Sequence, residues 1–195
     1  MALVTGASSG LGAHFARVLS QAGAAVVLAA RRIERLKALR AEIESQGGDA
    51  HVVNLDVTNI DSIKAAVAHA ETEVGTIDIL INNSGVSTTQ RLVDVQPEDF
   101  DFVMNTNVRG AFFVATEVAR RMIARSQGAA PGTFTGGRIV NVASMAGLRP
   151  LGQIGPYATS KAAVNVKVTA PASVASVQFG VKRAGQDDSE ARKIK

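Results

Sequence analysis

Short apolar runs alternate along this chain with longer segments whose apolar residues recur at helical spacing. Ala2–Thr5 opens the pattern as a strand, and a helix is expected over 10–22. The run "AAVVLAA" (24–30) is a second strand, and Ile33, Leu36, Leu39 and Ile43 then mark one face of a second helix. "AHVVNL" (50–55) and "TIDILIN" (76–82) predict two more strands around a helix over 60–74. Thr58 and Asp61 stand at the start of that helix as a candidate capping box. Pro97 suits the first position of a further helix. A long helix is expected over about 108–125, a Gly/Pro/Ser-rich loop over 126–137, and a fifth strand at "RIVNVAS" (138–144). Strands this rich in Val, Ile and Leu, each followed by a helix, predict an α/β fold. Its parallel sheet is doubly wound, with helices on both faces.

Composition changes this picture little. The 195 residues suit one domain with a real core, and hydrophobic residues make up 46% against 4% aromatic. There is no cysteine, so neither a disulfide framework nor a thiolate metal site is expected, and a reducing cytoplasm is the expected location. No charged region followed by an apolar one opens the chain, so no secretory signal is read. The longest apolar run, 22–30, falls far short of the ~20 residues that span a bilayer. Net charge is +4, and the final fifteen residues carry five basic and three acidic side chains, half of that excess. The body is thus only mildly basic, and no aromatic residues interleave with basic ones as a nucleic-acid platform would need. His14, His51 and His69 have no spacing suited to a metal, so no metal site is expected.

In doubly wound sheets, ligands bind at the carboxyl ends of the strands, and candidate chemistry gathers there. After the first strand comes "TGASSGLG" (5–12). Gly6 can make a tight turn, Gly10 lets a pyrophosphate approach the backbone, and Gly12 lets a helix pack close to the strand. Ser8, Ser9 and Leu11 complete the loop, and exposed N–H groups at the helix start favour an anion. Loops of this composition are common, but its place between the first strand and the first helix favours a dinucleotide about three to one over an empty Gly/Ser turn. After the second strand, an NAD site usually places an acid about 20 residues beyond the glycines. Ala30 occupies that place, followed by Arg31 and Arg32. A 2′-phosphate would give these arginines a partner; an exposed basic pair is the other reading. Asp56 and Val57, after the third strand, suit an adenine amino group and ring face, or a simple turn. "NNSG" (82–85), with Asn83, Ser84 and Gly85, follows the fourth strand, where turn chemistry or a cofactor crevice would each explain it. Ser144 ends the fifth.

Thirteen residues later stands Tyr157, the single tyrosine, within "YATSK". Lys161 lies at i+4, on the same face if the segment is helical. A free phenol titrates near 10, and an acid/base useful near neutrality needs that lowered by ~2–3 units. An ammonium ~5 Å away at an effective dielectric of ~20 supplies about 3 kcal/mol, which is sufficient.

TGASSGLG, Asp56-Val57, NNSG, Asn107 in "MNTNVRG", Ser144 and YATSK occur in this order, and the run resembles the short-chain dehydrogenases/reductases. The resemblance covers residues 2 to about 163. It implies a single Rossmann-like domain binding a nicotinamide dinucleotide; Arg31 and Arg32, with no acid at Ala30, make NADP the expected cofactor, with NADPH preferred over NADH. It also implies Tyr157 as proton donor and acceptor, Ser144 holding the substrate oxygen, and Lys161 on the nicotinamide ribose. Asn107 would hold a water that relays protons to Lys161. The substrate would be a small ketone or secondary alcohol, a 3-oxoacyl thioester being one subtype.

Beyond Lys161 the sequence departs from the family, which continues with a long helix, a sixth strand, a substrate-covering segment and a seventh strand. Only 34 residues remain. Val164, Val166 and Val168 alternate with polar residues as a strand would, and Pro171 would end a helix. "VNVKVTAP" echoes the family's sixth strand, and "VQFGV" (177–181) is an alternative substitute. Residues 164–195 are therefore expected to be an atypical, partly disordered segment, with the C-terminal strands and helices incomplete. The fifth strand would then be an exposed apolar edge. A homo-oligomer is usual in the family and is in question here, because half of its usual contact would be missing. The functional alternatives are a dinucleotide-binding remnant without a working pocket and a methyltransferase-like α/β domain, which gives Tyr157 and Lys161 no role.

Overall fold

In a computed structural model, residues 1–130, 133, 136–150 and 152–164 are described. Five strands form one sheet: β1 (Ala2–Thr5), β2 (Val26–Ala30), β3 (Ala50–Asn54), β4 (Ile79–Asn82) and β5 (Arg138–Asn141). Their order is β3-β2-β1-β4-β5, and every pairing is parallel. The order reverses between β1 and β4, which opens a crevice at their carboxyl ends.

The helices are α1 (Gly10–Gln21), α2 (Ile33–Ser45), α3 (Ile60–Glu73), α4 (Pro97–Met104), α5 (Ala111–Gly128) and α6 (Gly155–Ala163). Strand pleating sends alternate residues to opposite faces. Val4, Val26 and Leu28 pack with Ala13, Ala16, Leu36, Leu39 and Ile43 of α1 and α2. Leu3, Val27, Val53 and Leu80 pack with Ile63, Val67, Val114 and Val118 of α3 and α5 on the other face. The central strands β1 and β2 are buried along their whole length, as their predominantly apolar sequences lead one to expect. Among the described residues β5 is the outer strand, with Ile139 and Asn141 buried and Arg138 and Val140 exposed.

Several local expectations are corrected. The cap of α3 is Asn59, whose side chain accepts from the Ser62 N–H at 3.0 Å. The expected Thr58–Asp61 box does not form, because the Thr58 hydroxyl is drawn to the Asp56 carboxylate at 2.7 Å. The long helix extends to Gly128 rather than ending near 125. It is preceded by a π-helical turn, Asn105–Gly110, that joins it to α4. Among the described residues no helix is long and apolar enough to cross a membrane. The expectations for residues 165–195 lie outside the described residues.

Candidate active site

The glycine loop leaves β1 through Gly6, which takes φ +66. That left-handed conformation favours glycine. A Cβ on Gly12 would lie 2.6 Å from the Asn83 amide nitrogen and would also strike the Gly6 carbonyl. Only glycine therefore lets α1 seat against both strand ends. Gly10 takes φ +57, with open space where a side chain would project. Ser9, at the N-cap of α1, makes no side-chain cap bond, so the first-turn N–H groups remain open to an anion.

A crevice of about 550 Å³ runs along the carboxyl edge. Gly6, Ser8, Ser9 and Leu11 form one wall, and Arg31 and Arg32 close it beyond β2. Asp56 and Val57 line it beyond β3, as do Asn83, Ser84 and Gly85 beyond β4. Tyr157 and Lys161 enter from α6 at the opposite end. Gly10, Gly12, Asn107 and Ser144 stand outside its wall. Gly12 and Asn107 instead support residues that form it.

The Arg32 guanidinium donates to Ser8 Oγ at 2.8 and 3.1 Å and to Ser9 Oγ at 2.7 Å, tying the end of β2 to the glycine loop. Asp56 Oδ1 accepts from the Thr58 N–H at 2.9 Å and from its hydroxyl. Burial is the largest influence on this carboxyl and pushes its pKa up. The two Thr58 bonds and the Arg31 charge together outweigh it and hold the pKa below its ordinary value.

α6 places Tyr157 and Lys161 one turn apart, as their spacing requires, and the Lys161 ammonium lies 5.7 Å from the centre of the Tyr157 ring. Lys161 is 6% exposed, and its Nζ donates to the Val142 carbonyl at 2.7 Å. Burial pushes its pKa down. Asn107, 1% exposed, sits in the π-helical turn. Its Oδ1 accepts from the Val86 N–H at 2.8 Å, and its amide nitrogen donates to the Val86 carbonyl at 2.8 Å and to Ser160 Oγ at 2.9 Å. A Cβ added to Gly85 would lie 3.4 Å from Asn107 Oδ1 and 3.7 Å from Lys161 Nζ, so these three residues converge. Ser144 follows β5, and its hydroxyl accepts from the Ala146 N–H at 3.2 Å.

Four residues essential to this arrangement escaped the reading of the sequence. The buried Thr5 hydroxyl accepts from the Asn83 and Ser84 N–H groups at 2.9 and 3.0 Å, anchoring the NNSG turn to β1. Gly110 lets the π-helical turn touch the β3 end, since a Cβ there would lie 2.8 Å from the Val57 carbonyl. Gly147 brings the turn after Ser144 against α6, with a Cβ position 2.7 Å from the Ala162 nitrogen. Ser160 bonds both Asn107 and Tyr157. Only Thr5 and Ser160 carried a signal, as the polar members of TGASSGLG and YATSK; the two glycines carried none.

A parallel sheet with a glycine-loop crevice at its switch point defines a dinucleotide-binding α/β fold. The family described as "short chain dehydrogenase" matches residues 1–176, and this chain belongs to it. It is 40% identical over 163 residues to gluconate 5-dehydrogenase of Gluconobacter oxydans, covering 84% of this chain and 60% of that one. It is 35% identical over 181 residues to galactitol 2-dehydrogenase of Agrobacterium fabrum, covering 93% and 66%. A solved gluconate 5-dehydrogenase from Burkholderia cenocepacia, in complex with NADP and tartrate, superposes with a TM-score of 0.76 at 36% identity. That match covers 84% of this chain and 61% of the other. The chain thus spans about three-fifths to two-thirds of the length of these relatives.

Proposed function

We propose that this chain is an oxidoreductase that moves a hydride between NADP(H) and a ketone or secondary alcohol, with residues 1–163 as the working unit. The observation that carries this reading is that Tyr157 and Lys161 line the same crevice as the glycine loop and the β2-end arginines. The crevice fits the cofactor. Gly10 leaves room for a pyrophosphate, the Ser9 side chain does not cap α1, and Arg31 and Arg32 follow Ala30, which stands where an acid would favour NAD. Bound there, the nicotinamide would supply or accept the hydride. Asp56 and Val57 would meet the adenine, and Asn83, Ser84 and Gly85 would border the ribose next to Lys161.

Tyr157 would give its phenolic proton to the carbonyl oxygen in reduction and take it back in oxidation. Lys161 brings its ammonium to the same ring, 5.7 Å from its centre. Ser144 would hold the substrate oxygen, and Asn107 would hold the relay water. Both carboxamide protons of Asn107 already have acceptors, so the side chain has no N–H left to donate to that water.

Oxidation of NADPH, followed by absorbance with a panel of small ketones, tests the reaction. The reverse direction would use NADP with gluconate and galactitol, the compounds in the relatives' names. Turnover in either direction supports the reading, and none in both refutes it. A second reading, a non-catalytic dinucleotide-binding protein of the cytoplasm, draws on the position of Ser144 outside the crevice wall. NADPH binding without any turnover would favour it.

A further inference from the structure

Ser160 is the buried polar residue of YATSK that the functional reading leaves without a task. It is fully buried, on the helix that carries Tyr157 and Lys161. Its hydroxyl proton goes to the Tyr157 backbone carbonyl at 2.7 Å. With that proton committed, Ser160 Oγ can only accept from its other neighbour, and it takes an Asn107 amide proton at 2.9 Å. The second amide proton goes to the Val86 carbonyl, and Asn107 Oδ1 takes the Val86 N–H. Protons therefore run one way, from Asn107 to Ser160 to the Tyr157 carbonyl, with no reversible link. The chain joins α6, the π-helical turn and the segment after β4.

We propose that Ser160 is a positioning residue, which fixes the Asn107 carboxamide against Val86 and so sets the distance between the π-helical turn and the Tyr157–Lys161 face of α6. Without the hydroxyl, a buried Asn107 N–H loses its acceptor and the Tyr157 carbonyl loses a donor. Such a loss is expensive in a buried site. The turn and α6 then keep their packing but lose the hydrogen bond that sets the Asn107 carboxamide between them. The kinetic part of this inference rests on the oxidoreductase reading; the hydrogen-bond part does not.

Ser160→Ala removes the hydroxyl. Ser160→Cys keeps nearly the same volume but is a weak donor and acceptor. Hydrogen exchange at the Val86 amide reads the Asn107 bond directly, and the Leu80 amide within the sheet reports general destabilisation. Both variants should speed Val86 exchange at least about fivefold more than they speed Leu80 exchange. With a ketone that the wild type reduces, both should lower kcat about tenfold and leave KM within about twofold, the signature of misplaced groups rather than lost binding. Val86 exchange that speeds no more than Leu80 exchange in Ser160→Ala would overturn the proposal. So would Ser160→Cys behaving as wild type, because volume alone would then suffice. If the wild type reduces no ketone, the oxidoreductase reading falls, and the exchange measurements by themselves decide the role of Ser160.

Discussion

At the Arg31–Arg32 end of the crevice the polar side chains are exposed, and Arg32 bonds to hydroxyls on a neighbouring exposed loop. At the Tyr157–Lys161 end the supporting groups are buried, and Asn107 reaches Ser160, 53 residues away. The first end resembles a clasp whose parts water can replace. The second is a buried network in which both Asn107 amide protons and the Ser160 hydroxyl have acceptors, and a lost partner leaves a buried polar group bare. Affinity for the cofactor's phosphate should therefore be adjustable at the first end at little cost to folding. The second end should answer substitution with changes in chemistry and stability together.

The strongest test of that division is Tyr157→Phe. It removes only the phenolic oxygen, so turnover should fall by about 10²–10⁴, while NADPH affinity measured by fluorescence titration stays within about twofold. A large loss of affinity would show that the two ends are not separable. Arg32→Ala is the converse. The wild type should bind NADPH about ten- to hundredfold more tightly than NADH, from a charge-assisted contact of roughly 1.5–3 kcal/mol. The variant should lose most of that preference without a shift in thermal midpoint, and equal wild-type dissociation constants for the two cofactors at low salt would refute the phosphate assignment.

Lys161→Met sharpens the contrast through stability. Burial holds the native Lys161 pKa below its ordinary value, so the unfolded chain binds the more protons between the native and unfolded pKa values. Wild-type stability should therefore rise with pH as the native amine deprotonates, up to the unfolded value of about 10.4. The variant should lose that slope and be more stable at neutral pH by about 1 kcal/mol, as relieved functional sites often are. Urea unfolding across that pH range reads both effects. Asn59→Ala lies outside both ends. Loss of the α3 cap should lower stability by about 1 kcal/mol and leave cofactor affinity and turnover unchanged; a change in either would tie α3 to the site.

The parallel strands, their alternating helices and the placing of candidate residues at the strand ends were legible because they follow from local rules. A two-residue strand period, a helical period near 3.6 and the i+4 spacing of Tyr157 and Lys161 are written in consecutive residues. The same rules erred where two local partners competed. Thr58 was a reasonable cap for α3, yet the Asp56 carboxylate took its hydroxyl and left Asn59 to accept the Ser62 N–H.

The sequence by itself determined a doubly wound sheet, a glycine loop after β1, a basic pair in place of an acid after β2, and a phenol one turn from an ammonium. Tertiary structure alone decided which of the many hydroxyls and glycines hold these parts together. Thr5 meets Asn83 across 78 residues of chain, and Ser160 meets Asn107 across 53. Gly110 and Gly147 matter only because Val57 and Ala162 come to lie against them. The reason is physical: a side chain's hydrogen-bond partner and the room for a Cβ depend on what the folded chain brings within about 3 Å, and no spacing along the sequence encodes that distance.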